Sequence, residues 1–163
     1  MRQRTLVIAA LAAVGVAIAI AVPLAIMAMQ GSHELKFEYV KSGGIAGINE
    51  RLAFDSMASF DSKTNVITFF QGTSGGTERQ LSEAQVQEIR EAIAGGGFFA
   101  MDSVYPPSQG PADYFSYSLT VTMDGRTHSV SWVDDFASAE QVPEGLKDIV
   151  SKIEEAYATA STS

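Results

Sequence analysis

Phe115-Ser116-Tyr117-Ser118-Leu119-Thr120-Val121-Thr122-Met123, then Asp124-Gly125, then Arg126-Thr127-His128-Ser129-Val130-Ser131-Trp132-Val133, is the stretch that decides the fold. Apolar and hydroxyl side chains alternate strictly through the first run, the period of a strand with one buried face. Asp-Gly favours a type I′ turn, whose two positive φ angles suit the twist of the strands it joins. The return run carries His128, Val130 and Trp132 in phase. An antiparallel hairpin follows, and its apolar face needs a cover.

Further strands and the cover lie on either side. Glu34 to Lys41 alternates Leu35, Phe37 and Tyr39 against Lys36, Glu38 and Val40. Ile48 to Asp55 repeats the pattern with Ile48, Leu52 and Phe54, interrupted by Glu50, and Val66 to Gln71 is a short β-rich run closed by Gly72 to Gly76. Ser82-Glu83-Ala84-Gln85 reads as a capping box for a helix with Val86, Ile89 and Ile93 on one stripe and Gly95 as its stop. Phe98 and Phe99 are placed to seal that helix onto the sheet, and Pro106, Pro107, Gly110 and Pro111 enforce an irregular loop. After Pro143, Leu146, Ile149, Val150 and Ile153 mark a second helix, and the Thr/Ser/Ala tail over 158–163 is expected to be disordered. The expected architecture over 34–157 is α+β: an antiparallel sheet of four to five strands with two helices on one face.

Residues 1–31 follow another rule. Leu6 to Met29 is an apolar run of roughly 24 residues without a charge, and as a helix it reaches about 36 Å. That exceeds the hydrocarbon core of a bilayer, about 30 Å thick. Arg2 and Arg4 before it favour a cytoplasmic N-terminus. Signal h-regions are shorter, about 7–15 residues, and the residues after Pro23 offer no clean cleavage site. The expectation is therefore an uncleaved single-pass anchor with the C-terminal domain outside the cell membrane; were the segment cleaved, the domain would be secreted. Either way it is exported.

Composition narrows the function. Nineteen acidic residues face eleven basic ones, for a formal charge of −8. Such a surface repels phosphate backbones, so nucleic acid is not expected as a partner. Cysteine is absent, which removes disulfides and thiolate metal sites and suits a prokaryotic exported domain. The two histidines are His33, in the joint after the anchor, and His128, inside a strand. There is no H-E-x-x-H pair and no phosphate-binding G-x-x-x-x-G-K-[ST] loop. Asp134-Asp135 at a strand end lacks the alternating oxygens and central glycine of a calcium loop. Asp102, Asp113 and Asp124 fit turn chemistry. No catalytic residue, metal or cofactor is expected, and the protein is read as a non-enzyme.

What remains is recognition. Ser42, Gly43, Gly44, Ile45, Ala46 and Gly47 lie between two strands and admit two readings: a hairpin turn with a bulge, or a protruding loop whose backbone and Ile45 enter a partner's cleft. Tyr105, Pro106 and Pro107 open a proline-stiffened loop running to Gly110.

Taken in order, Lys41 to Ile48, Gly97-Phe98-Phe99, Gly110 to Val121, Gly125 to Val130 and the closing Pro143–Leu146 helix resemble the emfourin family. These are small protein inhibitors of thermolysin-like metallopeptidases that include protealysin. The likeness runs from Leu35 to about Ala156. It implies an exported inhibitor that blocks the substrate cleft of a thermolysin-like metallopeptidase. Loop composition then nominates Ser42 to Gly47 as the inserted element and Tyr105, Pro106 and Pro107 as a second contact. The competing reading is a non-inhibitory cell-surface interaction or structural module. Two departures from the family stand out: the anchor, and an extra stretch from Ser56 to Gly76 that would add a strand at the sheet edge or cover the binding surface.

Overall fold

The computed structural model describes residues 34–57, 64–110 and 112–162. The expected span Leu6–Met29, with Arg2, Arg4 and His33, lies outside the described residues, as do 58–63, Pro111 and Ser163. Among the described residues no helix is long and apolar enough to cross a membrane. A compact unit begins at Glu34.

Its elements are β1 (Leu35–Gly43), β2 (Ile48–Asp55), β3 (Val66–Gln71), β4 (Thr77–Gln80), α1 (Glu83–Gly95), a 3-10 turn (Phe98–Ala100), β5 (Phe115–Met123), β6 (Arg126–Val133), α2 (Glu144–Thr159) and β7 (Ser161–Thr162). The sheet runs β6-β5-β1-β2-β3-β4-β7, with every pairing antiparallel. Seven strands thus replace the four to five expected. The two unforeseen ones carry no alternation to detect: β4 is Thr77-Glu78-Arg79-Gln80, without an apolar residue, and β7 is two residues of the polar tail. That tail is not disordered over 158–162, because α2 continues through Thr159 and Ser161–Thr162 pair with β4. Nor does the extra stretch add an edge. β3 sits inside the sheet, bonded to β2 on one side and β4 on the other.

The hairpin forms as its sequence dictates, with Asp124 at φ 52° and Gly125 at φ 76°. Register then stacks the apolar side chains into rows. Phe37 of β1 faces Phe54 of β2 and Val121 of β5, and Phe54 faces Ile67 of β3. The Phe37 and Phe54 rings stack at 5.1 Å. Both helices cover this face. Val86, Ile89 and Ile93 of α1 and Leu146, Ile149, Ile153 and Ala156 of α2 join the strand residues in one buried core. The Ser82 capping box is complete, with Gln85 N donating to Ser82 Oγ and Ser82 N to Gln85 Oε1. Phe98 is fully buried, and the His128 ring packs edge-on to it at 5.5 Å while its Nε2 meets the Met101 carbonyl. His128 is therefore a packing residue on the sheet face.

The outer edge of β6 is covered. Tyr105 N donates to the Ser131 carbonyl and Ser131 N to the Ser103 carbonyl, both at 2.9 Å. A free strand edge would invite pairing with other chains, and this segment removes it.

Candidate partner-binding surface

Register places several loops at one end of the sheet. Gly43, the last residue of β1, pairs with Ile48 on one side and Phe115 on the other. Phe115 O accepts from Asp134 N, just past the end of β6. The 44–47 turn and the 134–139 connection thus leave the sheet at the same end, with β5 between β1 and β6. Neighbouring strands lie about 4.8 Å apart, so β1 and β6 are only about 10 Å from each other. Glu34, where the described chain enters β1, is at the opposite end.

The glycine turn is a fixed object. Gly44 N donates to the Tyr114 carbonyl and Gly47 N to the Gly44 carbonyl. Gly43 takes φ 112°, and a Cβ there would come within 2.8 Å of the Tyr114 oxygen; at Gly44, φ 69°, a Cβ would meet the Phe115 ring at 2.9 Å. The backbone lies against β5 in a way that only glycine permits. At its crest Ile45 is 91% exposed. The sequence left a bulged turn and a protruding loop over Ser42 to Gly47 as alternatives; Ser42 and Gly43 instead belong to β1, paired on both sides, and only 44–47 form a tight turn, which presents an apolar side chain.

The proline loop reaches the same end by another route. Ser108 N donates to the Ala137 carbonyl at 2.7 Å and Ala139 N to the Pro106 carbonyl at 2.8 Å. These bonds zip 106–108 to 137–139. Tyr105 itself is buried in the core, so it anchors the loop and leaves contact to Pro106 and Pro107, which are exposed. The zip also fixes Phe136, 69% exposed in a turn where Ala137 N bonds to Asp134 O. Sequence reading passed over Phe136: the Asp134-Asp135 pair beside it drew attention, and a lone phenylalanine in a connection has no period to mark it.

Between α2 and this end of the sheet runs an open trough of about 570 Å³, lined by Tyr39, Tyr117, Trp132, Asp134, Lys147 and Glu154 among others. Tyr117 and Trp132 stack at 5.4 Å, and Tyr39 lies parallel to both within 17°. Burial, with the Glu154 carboxylate beside it, pushes the Tyr39 phenol well above its ordinary range. Burial and the hydrogen bond to Asp134 do the same for Tyr117. Both phenols are therefore neutral donors to carboxylates. Asp134 accepts from Phe115 N and Tyr117 Oη, and Asp135 holds Lys147 at 2.7 Å. Neither aspartate is arranged for a cation of its own. Among the described residues no cluster of three His, Asp or Glu could hold a metal. The surface offers rigid shape, exposed apolar tips and paired charges, which are the means of protein recognition.

Residues 77–154 match the Emfourin family model. The match takes in β4, α1, β5, β6, both zipped loops and most of α2. It starts well after Leu35, so the 44–47 turn lies outside it and rests on this chain's own geometry. No curated protein matches the chain.

Proposed function

From the Emfourin-family domain that this chain carries over residues 77–154, we propose that the protein is an inhibitor of an exported thermolysin-like metallopeptidase. In this reading it is held at the outer face of the cell membrane by Leu6 to Met29. The family supports the inhibitory role and a peptidase as partner. The observation that carries the site is Ile45, 91% exposed on a turn whose backbone is locked by Gly43 and Gly44. A rigid apolar tip loses little entropy on docking, so more of its contact free energy appears as affinity. Pro106, Pro107 and Phe136, at the same end of the sheet, supply a second point of contact.

Blocking a cleft requires no chemistry from the inhibitor, only shape and contact. The whole length of β1, from Leu35 to Gly43, separates the turn from the point in the sequence where a tether would join. Tethering would also raise the inhibitor's effective concentration near surface peptidases. It rules out inhibition by insertion of the chain's own N-terminus.

The test is to titrate the full chain, in mild detergent, into a thermolysin-like peptidase and follow hydrolysis of a peptide substrate. Stoichiometric loss of activity is expected, and unchanged activity at micromolar excess would refute the proposal. Protease accessibility on intact cells tests the topology. Protection of the 34–163 domain from external protease would place it in the cytosol and remove the encounter.

A further inference from the structure

The peptide bonds on either side of Ile45 are held in a closed turn. Gly47 N donates to the Gly44 carbonyl at 3.0 Å, which makes Ile45 and Ala46 the central residues of a four-residue β-turn. Such a turn keeps its end Cα atoms within about 7 Å, whereas the same four residues extended span about 10 Å. Ile45, Ala46 and Gly47 are exposed, and Ile45 is the large side chain among them. No charged residue lies between Ser42 and Asn49.

The turn cannot open by itself. Gly43, just before it, pairs with Ile48 on one side and Phe115 on the other, because β1 lies inside the sheet. Gly44 N donates to the Tyr114 carbonyl at 3.3 Å, and beyond the turn Gly72 N donates to the Asn49 carbonyl at 2.8 Å. Straightening 44–47 would separate Gly43 from Ile48 and Gly44 from Tyr114.

A peptide held for hydrolysis lies extended, so that alternate side chains reach separate pockets and its carbonyl meets the catalytic group in line. We infer, building on the inhibitor reading, that the 44–47 turn makes this chain an inhibitor instead of a substrate: Ile45 enters an apolar side-chain pocket of the peptidase while the closed turn keeps both flanking amides out of the extended form. Hydrolysis there would break the amide C–N bond, giving the hydroxyl of water to the Gly44 or Ile45 carbonyl carbon and the remaining proton to the following nitrogen. The turn denies that carbonyl its approach.

The test compares three forms of the same residues. The full chain in mild detergent, a linear peptide covering Lys41–Glu50, and a full chain with Gly-Ser-Gly inserted between Ala46 and Gly47 are each incubated with a catalytic amount of a thermolysin-like peptidase. The insertion removes the closing bond at a loop-closure cost that grows only slowly with length. Mass spectrometry reads cuts within 44–47, and a peptide substrate reports inhibition. The natural chain should stay whole there, the linear peptide and the lengthened loop should be cut beside Ile45, and inhibition by the lengthened chain should fade with time. Ile45→Asp in the linear peptide should slow its cut roughly tenfold or more. Cutting of the natural chain as fast as the linear peptide, no cut in the linear peptide, or an Ile45→Asp peptide cut at an equal rate would overturn the inference. Because the linear peptide has no fold to lose, these outcomes hold even if the insertion unfolds the domain. The two readouts separate the claims: inhibition with the linear peptide uncut leaves the inhibitor reading and removes this one, and a whole natural chain that fails to inhibit, beside a cut peptide, does the reverse.

Discussion

The Tyr117 phenol donates to the Asp134 carboxylate at 2.8 Å, and the same carboxylate accepts from the Phe115 amide at 2.8 Å. One side chain past the end of β6 therefore fixes the first residue of β5, and Gly43 is in register with that residue. Asp134→Ala leaves two donors without an acceptor and should cost about 2–3 kcal/mol. Tyr117→Phe removes one donor and keeps the ring, for a loss of about 1 kcal/mol. Urea unfolding measures both. Equal losses would mean that the carboxylate matters only through Tyr117.

The two raised phenols set the alkaline limit of stability. A phenol whose pKa is higher folded than unfolded binds its proton more tightly in the folded state. Its contribution is complete below the unfolded value, about 10, and falls as pH rises above it. Burial is the first cause at both Tyr39 and Tyr117, reinforced by Glu154 and Asp134 respectively. Stability should be flat toward neutral pH and decline above about pH 10. Tyr39→Phe should make that decline shallower. An identical alkaline slope in the variant would show that Tyr39 does not control it.

Two glycines of one turn should behave differently. At Gly43, φ 112°, an added Cβ meets the Tyr114 carbonyl oxygen at 2.8 Å, whereas at Gly47, φ 60°, nothing lies within 4 Å. Gly43→Ala combines backbone strain with a clash against a neighbouring strand and should cost about 3 kcal/mol. Gly47→Ala meets only the left-handed penalty, about 1–2 kcal/mol, and Gly47→Asn less, since asparagine tolerates that region. Thermal unfolding ranks the three. A Gly43→Ala loss no greater than that of Gly47→Ala would mean the turn does not press on β5.

Where side chains repeat with a period, the sequence could be read. The β5–β6 hairpin, β1, the capping box at Ser82 and both apolar helix stripes stand where alternation and capping chemistry put them. β4 and β7 could not be read because they are held by pairing alone. Arg79 of β4 donates to the Tyr157 and Ala158 carbonyls at the end of α2, a contact spanning almost half the chain. The site was half legible. Glycines between strands announced the 44–47 turn, but the zip of 106–108 to 137–139, which exposes Phe136 and buries Tyr105, is long-range backbone bonding without a local signature. Glu50 illustrates the same limit: it breaks the pattern of β2, and only the packing of α2 shows that it lines a pocket.

Ile45 and Phe136 give the sharpest test of the proposed docking surface. Both are largely solvent-exposed, so Ile45→Asp and Phe136→Ala should leave stability within about 0.5 kcal/mol. If each anchors the peptidase, either change should weaken inhibition by about 2 kcal/mol, near thirtyfold. They sit on separate loops at strands about 10 Å apart, so the losses should add in the double variant to within ~0.5 kcal/mol. Inhibition constants with folding checked by circular dichroism give the answer. A strong effect of Phe136→Ala with none from Ile45→Asp would move the surface onto the family-matched 105–139 region and away from the glycine turn. The reverse would make the turn, outside that match, the element particular to this chain.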